Sequence, residues 1–298
     1  MGAADIGKGP MGEVFSQSDL DDFKKIGISS EEVLQQIGIF QQGVPFTQLE
    51  APCTPPDGIR ILSPDQVQKY STQFEKTMAA GRAMKFVPAS GAASRMFRDL
   101  LAFYNSEAPV PKNPAVQEFF QKLPTFPFYP ELEAGLLARG KEIRSLLQDN
   151  QFREVLRYLL EEPGLAYGNA PKGLIPFHNY GKFRRTPFEE QIVEAIQYVQ
   201  DQQGGCEIHF TLGSGFLEEI TALLSALGDK YKEDRIDLKI EISLQKSSTS
   251  TLAVDLDDHP FRVGDKKILF RPGGHGALLE NLDDLDGDIV FIKNIFYY

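Results

Sequence analysis

Ser90, Gly91, Ala92, Ala93, Ser94 and Arg95 follow directly on the apolar stretch MKFVPA, a run of small residues that ends in a guanidinium. A strand that hands over to small residues at a helix start exposes backbone N–H groups. The helix dipole adds positive potential there, so the spot suits an anion. Arg95 supplies a fixed charge beside it. The same small residues would equally serve close packing of strand against helix. No Gly-Lys-Ser/Thr follows and the GxGxxG pattern is incomplete, so the loop is neither a Walker loop nor a dinucleotide fingerprint.

Two further segments carry groups that suit a phosphorylated ligand. In NAPKGLIPFHNYGKFRRTPFEEQI, Lys172 stands behind Pro171 and ahead of an apolar, strand-like stretch, where a lysine is either a phosphate contact or a solvated loop residue. Farther on, Thr186, Pro187 and Glu189 have the order of a helix cap, a first-turn proline and a capping-box acid. In FRPGGHGALLENL, Gly273, Gly274 and Gly276 surround His275, and glycines let a backbone approach a ligand where a Cβ would clash. A helix beginning near Ala277 offers a second N-terminus, although a glycine-rich turn after a strand can also simply turn.

Alternating segments must position these groups. Strands are expected at 84–89, in CEIHFTL and in IDLKIEISL, with helices at about 94–104 and in GFLEEITALLSAL. Such alternation predicts a mostly parallel sheet covered by helices. Residues 1–80 read as a helical lead-in, with helices opening at a serine or aspartate of SQSDLDDF, at Ser30 and in DQVQKYSTQFEKTMAAG. Residues 106–162 read as a helical insert, TLAVDLDDHPFRV as two short strands about an Asp-Asp turn, and the last segment as helix, acidic loop and strand.

Composition narrows the partners. The 298 residues are 42% hydrophobic and 24% charged, with 22 Phe and no Trp, a globular mix. No apolar run is long enough for a membrane helix and the first residues lack the pattern of a signal peptide, so a cytoplasmic protein without membrane partners is expected. A net charge of -11 argues against nucleic acid. Cys53 and Cys206 belong to no CxxC, and the histidines show no zinc spacing. A phosphorylated ligand would therefore be small, held by backbone amides, a few cations or a metal ion.

The order of these motifs, GAASRM, PKGLIP with TPFEEQ, PGGHGALLE and then VFIKNI, resembles that of the sugar-1-phosphate nucleotidyltransferases, and within them the UDP-sugar pyrophosphorylase branch. More narrowly, about residues 16 to 295 resemble an uncharacterised bacterial family of DUF4301 type, mostly from Bacteroidetes, assigned to that superfamily. The resemblance implies a three-layer, nucleotide-diphospho-sugar transferase-like (Rossmann-like) α/β domain over 81–298, with a mixed, mainly parallel sheet and without the C-terminal sugar-binding half. It implies that Ser90 to Ser94 form the loop over the nucleotide, with Arg95 and Lys172 on its phosphates. Gln245 resembles the glutamine near the base, Lys246 is a lesser phosphate candidate, and Gly274, His275 and Gly276 would line base and ribose. In the superfamily a sugar 1-phosphate oxygen attacks the α-phosphorus of a nucleoside triphosphate and pyrophosphate leaves, with Mg2+ bridging the charges.

Two departures stand out. Ala93 occupies a position that is generally glycine, and an alanine forced to positive φ there would cost about 1 kcal/mol. Phe296 stands where the resemblance calls for the metal-binding aspartate after Asn-Ile, and a phenyl ring cannot bind Mg2+. Asp255, Asp257 and Asp258, or Asp283, Asp284, Asp286 and Asp288, are substitutes in principle. The resemblance thus implies either an active transferase or a nucleotide or sugar-nucleotide binding module that has lost catalysis. A structural protein on an inherited scaffold is a third expectation, which retention of Arg95, Lys172 and the glycine turn disfavours.

Overall fold

The computed structural model describes residues 15–91, 96–264 and 266–295. They form two compact units, one from the described residues of Met1–Lys69 and Gln245–Asp284, the other from those of Tyr70–Leu244 and Leu285–Tyr298. A division at residue 80, expected from the sequence, therefore gives way to one in which the N-terminal helices pack with a segment from the far end of the chain.

In the first unit, α1 (Gln17–Ile26) and α2 (Ser30–Gln42) open on reciprocal capping boxes, Ser16 with Asp19 and Ser29 with Glu32. The cap of α2 is thus Ser29, and Ser30 is its first helical residue. Each helix ends at a glycine of positive φ, Gly27 and Gly43, where a Cβ would be strained. Phe15, Phe23, Val33 and Ile37 bury their side chains with Leu252 and Ile268. Phe23 meets Phe15 and Phe270 edge-on, at 5.0 and 5.7 Å between centroids. The downstream part is built of two-residue antiparallel pairs, Thr251–Leu252 with Phe270–Arg271 and Arg262–Val263 with Lys267–Ile268. The expected Asp-Asp turn is present between them: the Asp255 N–H donates to His259 O (2.9 Å) and Phe261 N–H to Ala253 O (2.8 Å).

The second unit holds a four-stranded sheet of β1 (Ala83–Ala89), β2 (Gly205–Leu212), β3 (Asp237–Leu244) and β4 (Ile289–Ile292), in spatial order β4-β1-β2-β3. All three pairings are parallel. The mixed, mainly parallel sheet expected is parallel at all three pairings, because long connections rather than tight turns separate successive strands. β1 is buried at all seven positions, as a central parallel strand must be, and its apolar run reads accordingly.

Helices flank this sheet. Most of α3 (Pro64–Ala79) belongs to this unit, and α4 (Arg98–Tyr104), α5 (Pro114–Lys122), α6 (Tyr129–Leu137), α7 (Ile143–Gln148) and α8 (Phe152–Leu160) follow β1. The last five enclose their own core, in which Val116, Leu123, Leu132, Val155, Leu156 and Leu159 are wholly buried. α9 (Pro187–Tyr198) and α10 (Leu217–Glu233) lay Phe188, Ile192, Ile220 and Leu224 over Val87, Ile208 and Phe210. Burying a side chain such as Phe188 contributes about 2–3 kcal/mol, so this face anchors the helices that frame the strand ends.

Candidate functional site

The chain passes from β1 to β2, then to β3 beyond it, and returns to the other side of β1 for β4. Open parallel sheets bind ligands outside the carboxyl ends of their strands where such a reversal occurs. Ser90 and Gly91 leave β1 at that edge, Gly213 leaves β2, and Lys293 leaves β4. Ala92, Ala93, Ser94 and Arg95 lie outside the described residues.

A cavity of about 150 Å³ opens there, between Ser90 and Gly91 of the first loop, Gly213, Gly215 and Phe216 of the second, and Asn169. Small residues make up much of its lining, Ala89, Ser90, Gly91, Gly213 and Gly215 among them. A Cβ on Gly213 would lie 3.3 Å from the Ser90 carbonyl oxygen, so the two loops approach closely here and a side chain would push them apart by a few tenths of an ångström. Phe216 caps α10 in the left-handed region, at φ 60°, and offers no side-chain hydrogen bond to the first turn. A phenylalanine held there costs about 1–3 kcal/mol, the kind of strain that collects at ligand sites. The N–H groups at the head of this 17-residue helix thus lack a side-chain cap, although Glu218 and Glu219 already answer its dipole.

Asn169 and Pro171 complete the lining, and Lys172 comes next in the chain. Its N–H donates to the Gly91 carbonyl at 3.4 Å, which joins the lysine segment to the end of β1. Lys172–Leu174 is a 3-10 turn instead of the strand-like stretch expected. The reason is Gly173, whose missing Cβ would fall 2.3 Å from the wholly buried ring of Phe188, so the turn packs flat on α9. Thr186 does cap α9, accepting the Glu189 N–H, and Pro187 opens it. Glu189 turns away from the expected capping box: its Oε1 accepts from Lys230 (2.6 Å) and from the Tyr231 hydroxyl (3.2 Å).

The remaining site residues expected from the sequence fall in the other unit. Gln245 Nε2 donates to the Gly273 carbonyl at 3.3 Å. Lys246 pairs with Asp284 at 2.9 Å and Glu280 at 3.5 Å. Gly274 and Gly276 have open space where a Cβ would stand, whereas at Gly273 it would lie 2.9 Å from Thr249 O, so the tight glycine of this turn is Gly273. His275 opens a 3-10 turn, and the helix after it, Leu279–Asp283, has only five residues, too short for the N-terminal field anticipated near Ala277.

The residues that sequence reasoning passed over are Gly213, Gly215 and Phe216. Their signal was a second Gly-x-Gly after a strand and before a helix, in TLGSGFLEEI. A family model described as "Domain of unknown function (DUF4301)" matches residues 16–296. The chain belongs to the DUF4301 family. No curated protein and no solved structure matches it.

The nucleotidyltransferase resemblance would put an Mg2+ ligand just after β4, at Phe296, which lies outside the described residues. Glu190 and Glu194 share a cavity with Asn294 at this strand end. Glu194 bridges Lys85 and Lys293, each at 2.9 Å. Burial alone would raise its carboxyl pKa, but the two ammoniums hold it below the usual carboxylate range. Lys85 is wholly buried, its pKa lowered by desolvation against the pull of Glu194, and it also donates to the Gln191 carbonyl at 2.9 Å. Glu190 accepts from the Tyr180 hydroxyl (2.5 Å) and from Arg185 (3.0 Å). Mg2+ wants carboxylate oxygens free to coordinate, and these are already neutralised by cations, so the described donors do not fit it. In the other unit Asp255, Asp257 and His259 bring ligand atoms within 4.8 Å of one another, all exposed, but Asp255 Oδ1 is taken up by the N–H groups of Asp257 and His259. Among the described residues no helix is long and apolar enough to cross a membrane.

Proposed function

We propose that this DUF4301 protein binds a nucleoside triphosphate or nucleotide sugar at the carboxyl edge of its parallel sheet, in the cleft between the loops after β1 and β2. The observation that carries the reading is the hydrogen bond from Lys172 N–H to Gly91 O, which brings the lysine segment to the carboxyl end of β1. Backbone amides would hold phosphate oxygens, with Lys172 and Arg95 as the cations. The reaction this favours is transfer of the nucleotidyl group to a sugar 1-phosphate: its phosphate oxygen forms the new bond to the α-phosphorus as the bond to pyrophosphate breaks. Fixed positive groups speed such a step because charge grows on the leaving oxygens.

A second reading, binding without turnover, is favoured by Phe296 and by the cation-paired carboxylates at the end of β4. Calorimetric titration with UTP, ATP, GTP, CTP and dTTP tests the site. Arg95→Ala and Lys172→Ala are expected to weaken binding about tenfold or more, and Asp284→Ala to leave it unchanged. Equal affinities in all three variants would remove the assignment. Pyrophosphate release with a sugar 1-phosphate present separates transfer from binding alone.

A further inference from the structure

A cavity of about 500 Å³ lies within the first unit, between α1 and the segment 250–272. It has more than three times the volume of the cleft at the end of β1, about 150 Å³, and falls in the size range of small-molecule sites. We infer that it binds an amphipathic monocarboxylate with an aryl or alkyl body. The walls match such a body. Phe23 and Ile268, 2% and 5% exposed, meet the half-buried Ile26, Leu269 and Phe270 there, while Val263 and Pro272 are exposed, so the space opens to solvent. A hydrocarbon gains by entering apolar walls of this kind. The oxygens of a polyphosphate would lose their partners against them.

The sign of the head group follows from the charges around the cavity. Four charged residues line it: Asp19, Asp22, Lys25 and Lys267. Arg262 takes both oxygens of Asp19, at 2.8 and 2.9 Å, and Lys25 pairs with Asp22 at 2.9 Å. Lys267 is exposed and forms no ion pair with a described residue, although its field reaches Asp22. Its ammonium is therefore the surplus charge of the lining and is within a ligand's reach. Flanking residues keep that sign. With Asp21, Lys24, Arg262, Lys266 and Arg271 added, six cations stand against three carboxylates, in a chain whose net charge is -11. A cationic ligand would meet lining carboxylates that are already paired. One point charge suits one carboxylate, and the Ser250 hydroxyl of the lining is a neutral donor beside it.

The site lies in the unit that does not contain the β1–β2 cleft, and the inference does not depend on the nucleotide reading. Octanoate and phenylacetate are titrated calorimetrically into the full chain beside their neutral counterparts, octanamide and phenylacetamide. Saturable binding of at least one acid is expected, with its amide about tenfold or more weaker. Lys267→Gln should lose affinity for the acid by a similar factor and Lys267→Arg should keep most of it, both with the parent's melting temperature and nucleotide affinity. No saturation by either acid, equal binding of acid and amide, or an affinity unchanged in Lys267→Gln overturns the inference. The side-chain resonances of Phe23 and Ile268 in the unaltered protein should shift as acid is added, and resonances that stay in place also overturn it. Loss of nucleotide binding with acid binding intact would remove only the proposed nucleotide function.

Discussion

Asp19 shows how one residue ties distant parts of the chain. It is 3% exposed and meets Arg262 through both oxygens, at 2.8 and 2.9 Å, across 243 positions of sequence, while also serving the capping box of α1. The Arg262 guanidinium holds its carboxyl down to about 2, from 3.8, against the opposing effect of burial. Because the folded value is the lower one, the pair's stabilisation is fully present above about pH 4 and is lost as the pH falls toward 2. Its size is about 2 kcal/mol by linkage. Urea unfolding of Asp19→Asn at pH 7 is expected to show that loss in the unit containing α1, and the pH dependence between 4 and 2 should flatten. An unchanged acid limb would show that Arg262 contributes nothing. None of this was legible locally, since the sequence announces Asp19 as a helix-opening acid and gives no sign of Arg262.

At the scale of elements, the 3-10 turn Lys172–Leu174 owes its shape to α9. Gly173 packs against Phe188, which itself meets Phe210 of β2 edge-on at 5.2 Å. Gly173→Ala forces either the turn or the ring to move, and such overpacking costs about 1–3 kcal/mol. A lower melting temperature together with weaker nucleotide binding is the expected pair of results, because Lys172 would shift with the turn. A variant as stable as the parent would mean that the turn relaxes freely. Periodicity and capping signals located α9, α10 and the strands well. They misread this turn because a lysine followed by Gly-Leu-Ile has strand-like composition, and only the ring of Phe188 decides otherwise.

For the whole molecule, the stretch from Gly43 to Ser63 is exposed throughout, with Phe46 at 95%, and its one ladder contact is the isolated bridge of Thr54 to Gly58. Backbone so exposed is the expected target of limited proteolysis. Trypsin should make its first cut among the described residues after Arg60, read by mass spectrometry, and a first cut within α4–α8 would contradict this packing. By itself the sequence determined the α/β class, the buried strand β1 and the Thr186 cap of α9, because these follow from local periodicity, side-chain size and short-range hydrogen bonds. Tertiary structure alone decided that the sheet is parallel at every pairing, that α1 and α2 share a core with Leu252 and Ile268, and that Lys172 joins Gly91. Those facts depend on which segments meet across long stretches of chain, and such meetings are set by burial and shape complementarity that no short window of residues encodes.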